Sequence, residues 1–119
     1  MSRSVRLFLQ DMLECSVKVV RYTQHMSQEE FFANDLVYDA VLRNMEILGE
    51  AAKHIPDDIR HKYPQIDWRG IAGLRDILAH AYFALDEETL WDIIVNKVPP
   101  LIHQLQAIIA QESDEAAID

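Results

Sequence analysis

The sequence predicts an all-α protein, a compact antiparallel bundle of four to five main helices. Three observations predict it. Only 3 glycines and 4 prolines interrupt 119 residues, and no stretch alternates apolar and polar side chains for the length of a strand. Apolar residues instead recur three and four apart, the period that puts them on one face of a helix. Residues that cap helices stand just ahead of those runs.

Taken in order, a first helix is expected over 4–25, with Val5, Leu9, Met12 and Val19 supplying its stripe. Ser27 followed by Glu30 is a capping-box pattern, because each side chain can satisfy an amide left without a partner in the first turn; it opens a short turn through Phe31 and Phe32. Asn34 or Asp35 then caps a long helix ending near His54, whose apolar face is Val37, Ala40, Val41, Met45, Leu48, Ala52 and Ile55. Pro56 ends that run and can start the next over 57–62, since proline is tolerated at the first helical position; Pro64 stops it. Asp67 is the next cap, for a helix over 68–82 that contains Gly70, Ala72 and Gly73. Each glycine costs an isolated helix about 1 kcal/mol, and close approach of another helix is the simplest compensation. Asp86 caps a last amphipathic run through Leu90, Trp91, Ile94, Val95 and Val98, which Pro99 and Pro100 bend or restart before 101–110.

This length suits one domain able to bury a core without disulfides or metal. We expect the domain to span 1–111 and residues 112–119, with Glu112, Asp114, Glu115 and Asp119, to form a frayed acidic tail. The whole chain carries 11 basic and 20 acidic residues, a net charge of −9. That balance argues against broad, sequence-blind binding of nucleic acid, which needs many cations on phosphates. It leaves room for a small basic pocket, assembled from one subunit or more. The longest nearly uncharged stretch, 96–111, is too short and polar to cross a bilayer, and the start of the chain lacks the pattern of a signal peptide. A single cysteine, Cys15, fits a reducing cytoplasm. His25, His54, His61 and His103 lack metal-ligand spacing, and no glycine-rich phosphate loop is present. Trp68, Trp91, Phe31 and Phe32 read as core or interface residues in preference to platforms for bases.

The informative segment is Leu74-Arg75-Asp76-Ile77-Leu78-Ala79-His80-Ala81-Tyr82. It sets a guanidinium, an imidazole and a phenol within eight residues. On a regular helix Arg75 and Tyr82 are nearly eclipsed, whereas His80 lies about 140° round from Arg75. The three converge only if the helix loosens near His80 or if two subunits meet. By spacing alone, Asp76 and His80 would be an ordinary i, i+4 pair. Likewise, Asp39, Arg43, Glu46, Glu50 and Lys53 would be a solvated stripe laced with ion pairs.

This segment resembles the signature of the HEPN superfamily (higher eukaryotes and prokaryotes nucleotide-binding), and most closely its HepT toxin branch, with the pattern Arg-x4-His-x-Tyr at Arg75, His80 and Tyr82. The run Arg43-Asn44-Met45-Glu46-Ile47-Leu48-Gly49-Glu50-Ala51 is similar to the Arg-Asn-x-Glu-x-x-Gly-Glu-Ala run of that branch, and 68–74 is similar to the lead-in to its signature. The likeness extends over about residues 5–110, with no departure at the signature positions.

What the resemblance implies is a HEPN-like bundle working as a metal-independent endoribonuclease, the toxin of a type VII-like toxin–antitoxin pair. Its partner would be a minimal nucleotidyltransferase antitoxin that transfers AMP to Tyr82. Arg75 and His80 become the catalytic candidates, while Arg43, Asn44 and Asp76 become candidates for orienting the site or touching RNA. No cofactor or metal is implied. Since one chain offers one motif histidine, a homodimer with its cleft at the interface would offer both an acid and a base. The rival reading is a non-catalytic helical subunit that binds a nucleotidyltransferase; the acidic charge favours it, and the intact Arg75/His80 pair favours the enzyme.

Overall fold

A computed structural model of the chain describes residues 1–79 and 86–118, with side chains as far as 113. Its elements are α1 (Arg3–Thr23), α2 (Gln28–Ala33), α3 (Asp35–Lys53), α4 (Asp57–Lys62), α5 (Trp68–Ala79), α6 (Glu87–Asp92), a π-helical turn (Ile93–Lys97) and α7 (Pro99–Ile118). There is no strand among the described residues.

Local chemistry sets most of these boundaries. The Ser2 hydroxyl accepts from Val5 N and starts α1. Glu30 N donates to Ser27 Oγ (3.1 Å) and Ser27 N to Glu30 Oε1 (2.9 Å), which completes the expected capping box. Asn34 caps α3 through Val37 N, Asp67 caps α5 through Gly70 N, and Asp86 caps α6 through Thr89 N. The first helix ends two residues earlier than expected, because His25 adopts a positive φ of 68° and turns the chain toward α2. The C-terminal end of α3 is sealed from a distance: Arg60 donates to Ile55 O (2.8 Å) and Ala52 O (2.9 Å), supplying partners for carbonyls that a helix end leaves open.

Two core clusters show how the long helices run. One joins Leu9, Met12 and Cys15 of α1 to Leu48, Ala51 and Ala52 of α3, Ile71 of α5 and Leu101, Leu105 and Ile108 of α7. The other joins Val19 of α1 to Val41, Leu42 and Met45 of α3 and Leu74 and Leu78 of α5. The early half of α1 therefore meets the late half of α3, whose early half meets the late half of α5. Both pairings are antiparallel. α3 packs chiefly against α1 and α5, and α7 covers α1. The four long helices make an up-and-down bundle, as the sequence predicts. Phe31 and Trp68 are buried in these clusters, the core placement expected of them.

Two expectations need correction. The C-terminal boundary drawn at 111 falls inside α7, which continues to Ile118. Glu112 is buried, accepting a hydrogen bond from the Tyr63 hydroxyl (2.6 Å) and pairing with Lys62 Nζ (3.1 Å). Burial pushes the Glu112 carboxyl up, but the Tyr63 and Lys62 donors outweigh it and hold the group below its ordinary range. The close helix approach, expected at Gly70 and Gly73, occurs instead at Gly49 of α3. A methyl on Gly49 would stand 2.7 Å from Arg75 N and 2.9 Å from Ile71 O. At Gly73 it would meet nothing within 4 Å among the described residues, and at Gly70 only the capping carboxylate of Asp67.

Candidate functional site

The α3–α5 seam at Gly49 positions the candidate site. On α5, Ile71, Leu74 and Leu78 point into the core. The same period leaves Arg75, Asp76 and Ala79 on the outer side. Because α5 lies against α3 backbone to backbone at Gly49, the next residue of α3, Glu50, reaches the Arg75 side chain. Glu50 Oε2 stands 3.3 Å from Arg75 Nε, and both side chains are half exposed. Arg75 Nη1 donates to Asp76 Oδ1 (3.2 Å), and Lys53 Nζ meets both Asp76 oxygens at 3.3 and 3.4 Å. The Arg75 guanidinium foremost, then the Lys53 ammonium, holds the Asp76 carboxyl below its usual range.

Glu50 and Arg75 edge a cleft of about 330 Å³ lined also by Phe8 and Asp11 of α1, by Arg43 and Glu46 of α3, and by Ala79 of α5, among others. Arg43 is open to solvent and 3.7 Å from Glu46. Asn44 is not at the cleft wall; its amide donates to Ala40 O of its own helix (2.8 Å). His54 Nε2 lies 3.5 Å from Glu50 Oε1, and the Phe8 ring stacks on the imidazole at 4.5 Å. Of the six site residues drawn from the sequence, Arg43 and Arg75 line the cleft, Asp76 is hydrogen-bonded to Arg75, and Asn44 turns away. His80 and Tyr82 lie outside the described residues. Ala79, the residue before His80, lines the cleft.

Chemically, the arrangement presents a guanidinium steadied at two nitrogens over an open hollow. A planar fork of N–H donors suits the oxygens of a phosphodiester. A larger hollow of about 540 Å³ between α5 and the C-terminal helices, lined by Leu48, Ile71, Leu74, Ile93 and Leu101 among others, is mostly apolar and brings no comparable set of charges together. Among the described residues, no three His, Cys, Asp or Glu side chains converge as a metal set, and no helix is long and apolar enough to cross a membrane. Burial, above all, pushes the Cys15 thiol up to about 11, so it is no nucleophile at neutral pH.

The residues that sequence reasoning underrated are Glu50 and Lys53, taken as part of a solvated stripe, and Phe8 and His54. The signal that could have found Glu50 is its place directly after Gly49, since a helical glycine on a packed face marks where another backbone comes near.

Comparison with known proteins agrees with the family that the sequence resembles. Residues 12–108 match the family described as ribonuclease HepT-like. The chain is 43% identical over 107 residues to a Methanocaldococcus jannaschii protein named "Putative RNase", covering 90% of this chain and 88% of that one. It is 38% identical over 101 residues to the "Probable ribonuclease HepT" of Thermococcus cleftensis, covering 85% and 92% respectively. A Caldanaerobacter subterraneus protein, also named "Putative RNase", is 31% identical over 110 residues, 92% of this chain and 98% of its own. No solved structure matches the chain.

Proposed function

This chain belongs to the ribonuclease HepT-like family, and on that premise we propose that it is a toxin that cleaves RNA in the cytoplasm without a metal ion. The observation that carries this reading is the Arg75 guanidinium, pinned by Glu50 and Asp76 at the lip of a cleft that Ala79 also lines. In the proposed reaction the ribose 2′-hydroxyl attacks the adjacent phosphorus, the bond to the 5′-oxygen breaks, and a 2′,3′-cyclic phosphate remains. A base removes the 2′ proton and an acid returns one to the leaving oxygen. His80 suits either task, because imidazole titrates near neutral pH. Arg75 meets the negative charge that builds on the phosphate oxygens in the transition state. A homodimer supplies two His80 rings to one cleft, one for each proton.

Control rests on Tyr82. When a nucleotidyltransferase antitoxin transfers AMP from ATP to its phenol, the phenolic oxygen bonds to the α-phosphorus, pyrophosphate leaves and the phenolic proton is lost; the new phosphate lies within the same motif, where it competes for Arg75 and repels RNA. One observation favours the rival, a non-catalytic partner of a nucleotidyltransferase: Asp11, Glu46 and Glu50 outnumber the arginines in the cleft.

The deciding experiment measures cleavage of labelled RNA in EDTA by the wild type and by Arg75→Ala and His80→Ala. We expect strong cleavage by the wild type and only residual, measurable cleavage by the two variants. Equal cleavage by all three would point to a contaminant and to the rival. Tyr82→Phe is expected to keep cutting RNA while escaping AMP transfer; an inert, folded Tyr82→Phe would assign the phenol to catalysis itself.

A further inference from the structure

Two members of the charged stripe on α3, Glu50 and Lys53, reach across the seam to α5, and Glu50 is the one that meets Arg75. Glu46 pairs with Arg43 on its own helix. Glu50 instead crosses the seam, with Oε2 3.3 Å from Arg75 Nε, while Oε1 faces His54 at 3.5 Å. Its register is fixed by backbone, because Gly49 brings α3 against the Arg75 amide itself. A half-exposed ion pair adds little to stability, so the contact is better suited to orientation than to holding the bundle together.

We propose that Glu50 is a positioning residue: its carboxylate beside Arg75 Nε, together with Asp76 on Nη1, fixes the guanidinium plane so that its remaining N–H donors are presented to the scissile phosphate. The inference rests on the ribonuclease reading. Arginine has many rotamers, and without the clamp its fork would sample orientations that miss the phosphate. Misplacing such a group by about 1 Å can cost on the order of a hundredfold in rate. The His54 imidazole, stacked under Phe8, limits the swing of Glu50 from the other side.

The test has two arms, on the full chain. In the first, kcat and KM for RNA cleavage are measured for the wild type, Glu50→Gln, Glu50→Ala, Arg75→Ala and the double variant Glu50→Ala/Arg75→Ala. Glu50→Ala should lower kcat about ten- to a hundredfold with KM changed less than threefold, Glu50→Gln should fall between, and melting temperatures should stay within about 2 °C. Once Arg75 is absent, removing Glu50 should cost nothing further, since it acts through that side chain. An equal loss in both backgrounds would make Glu50 an independent actor and overturn the proposal, as would a Glu50→Ala variant as fast as the wild type.

The second arm needs no cleavage. The Arg75 Nε–H resonance, assigned by its disappearance in Arg75→Lys, should stand apart from those of solvated arginines in the wild type. It should move to their position in Glu50→Gln. An Arg75 signal unchanged by Glu50→Gln overturns the clamp. A wild type that cuts no RNA but loses its shifted signal in Glu50→Gln overturns the ribonuclease reading and leaves the clamp standing.

Discussion

Gly49, across the seam from Arg75, and Gly73, on the same helix just before it, should respond to the same substitution with opposite signs. At Gly49 an added methyl would lie 2.7 Å from Arg75 N and 2.9 Å from Ile71 O. Both are backbone atoms of α5 and cannot rotate aside. Ordinary contact begins at 3.4 Å, so the two helices would have to part by roughly 0.7 Å in an interior packed as densely as a crystal. Overpacking of this kind costs about 1–3 kcal/mol, and the absence of a flexible neighbour puts Gly49→Ala in the upper part of that range. The better helix propensity of alanine returns about 1 kcal/mol. We therefore expect a net loss of ~1–2 kcal/mol. At Gly73 the same methyl meets nothing within 4 Å among the described residues, leaving only the propensity gain of ~0.5–1 kcal/mol. Urea unfolding followed by circular dichroism measures both, with equal m-values as the check that the unfolded ensembles are comparable. A Gly49→Ala variant as stable as Gly73→Ala would refute the close approach, and with it the account of why Glu50 reaches Arg75.

Other outcomes follow from particular contacts. Because Tyr63 and Lys62 hold the Glu112 carboxyl below its ordinary value of 4.5, the pair contributes stability that is complete above that value and is lost as pH falls through the lowered one; a pH series of urea midpoints should show Glu112→Gln with a shallower acid loss than the wild type. His25→Gly should gain up to about 1 kcal/mol, since glycine adopts a φ of 68° without the side-chain penalty, whereas His25→Val should lose stability in the same assay.

The helices were legible where their causes are local. Ser27 with Glu30, Asn34, Asp67 and Asp86 are caps that act within three residues, and Pro56, with no N–H to donate, separates α3 from α4. What escaped the sequence is long-range. Nothing near Glu112 announces Tyr63, 49 residues away in the chain, so the acidic C-terminal stretch read as frayed. Small residues on α5 suggested a close approach, but the approach depends on which face turns toward α3, and that chose Gly49. The end of α1 carries no glycine, so the left-handed turn at His25 had no marker. At the site, Arg75 was legible through its motif and Arg43 through its run; the clamp was not, because Glu50 and Arg75 meet only after two helices have folded side by side.

The π-helical turn before α7 also sets a length constraint. Val98 N reaches back five residues to Ile93 O (2.9 Å), a wider coil just ahead of two prolines that donate no hydrogen bond. Leu90, Ile94 and Val98 are all buried, at intervals of four that keep them on one face through this stretch. Excising one residue here would rotate everything downstream by about 100°, swinging Leu101, Leu105 and Ile108 off the bundle axis and pulling Glu112 away from its hydroxyl. Chains sharing this architecture should accordingly tolerate exchanges of residue type between α6 and α7 far better than any change in the number of residues there.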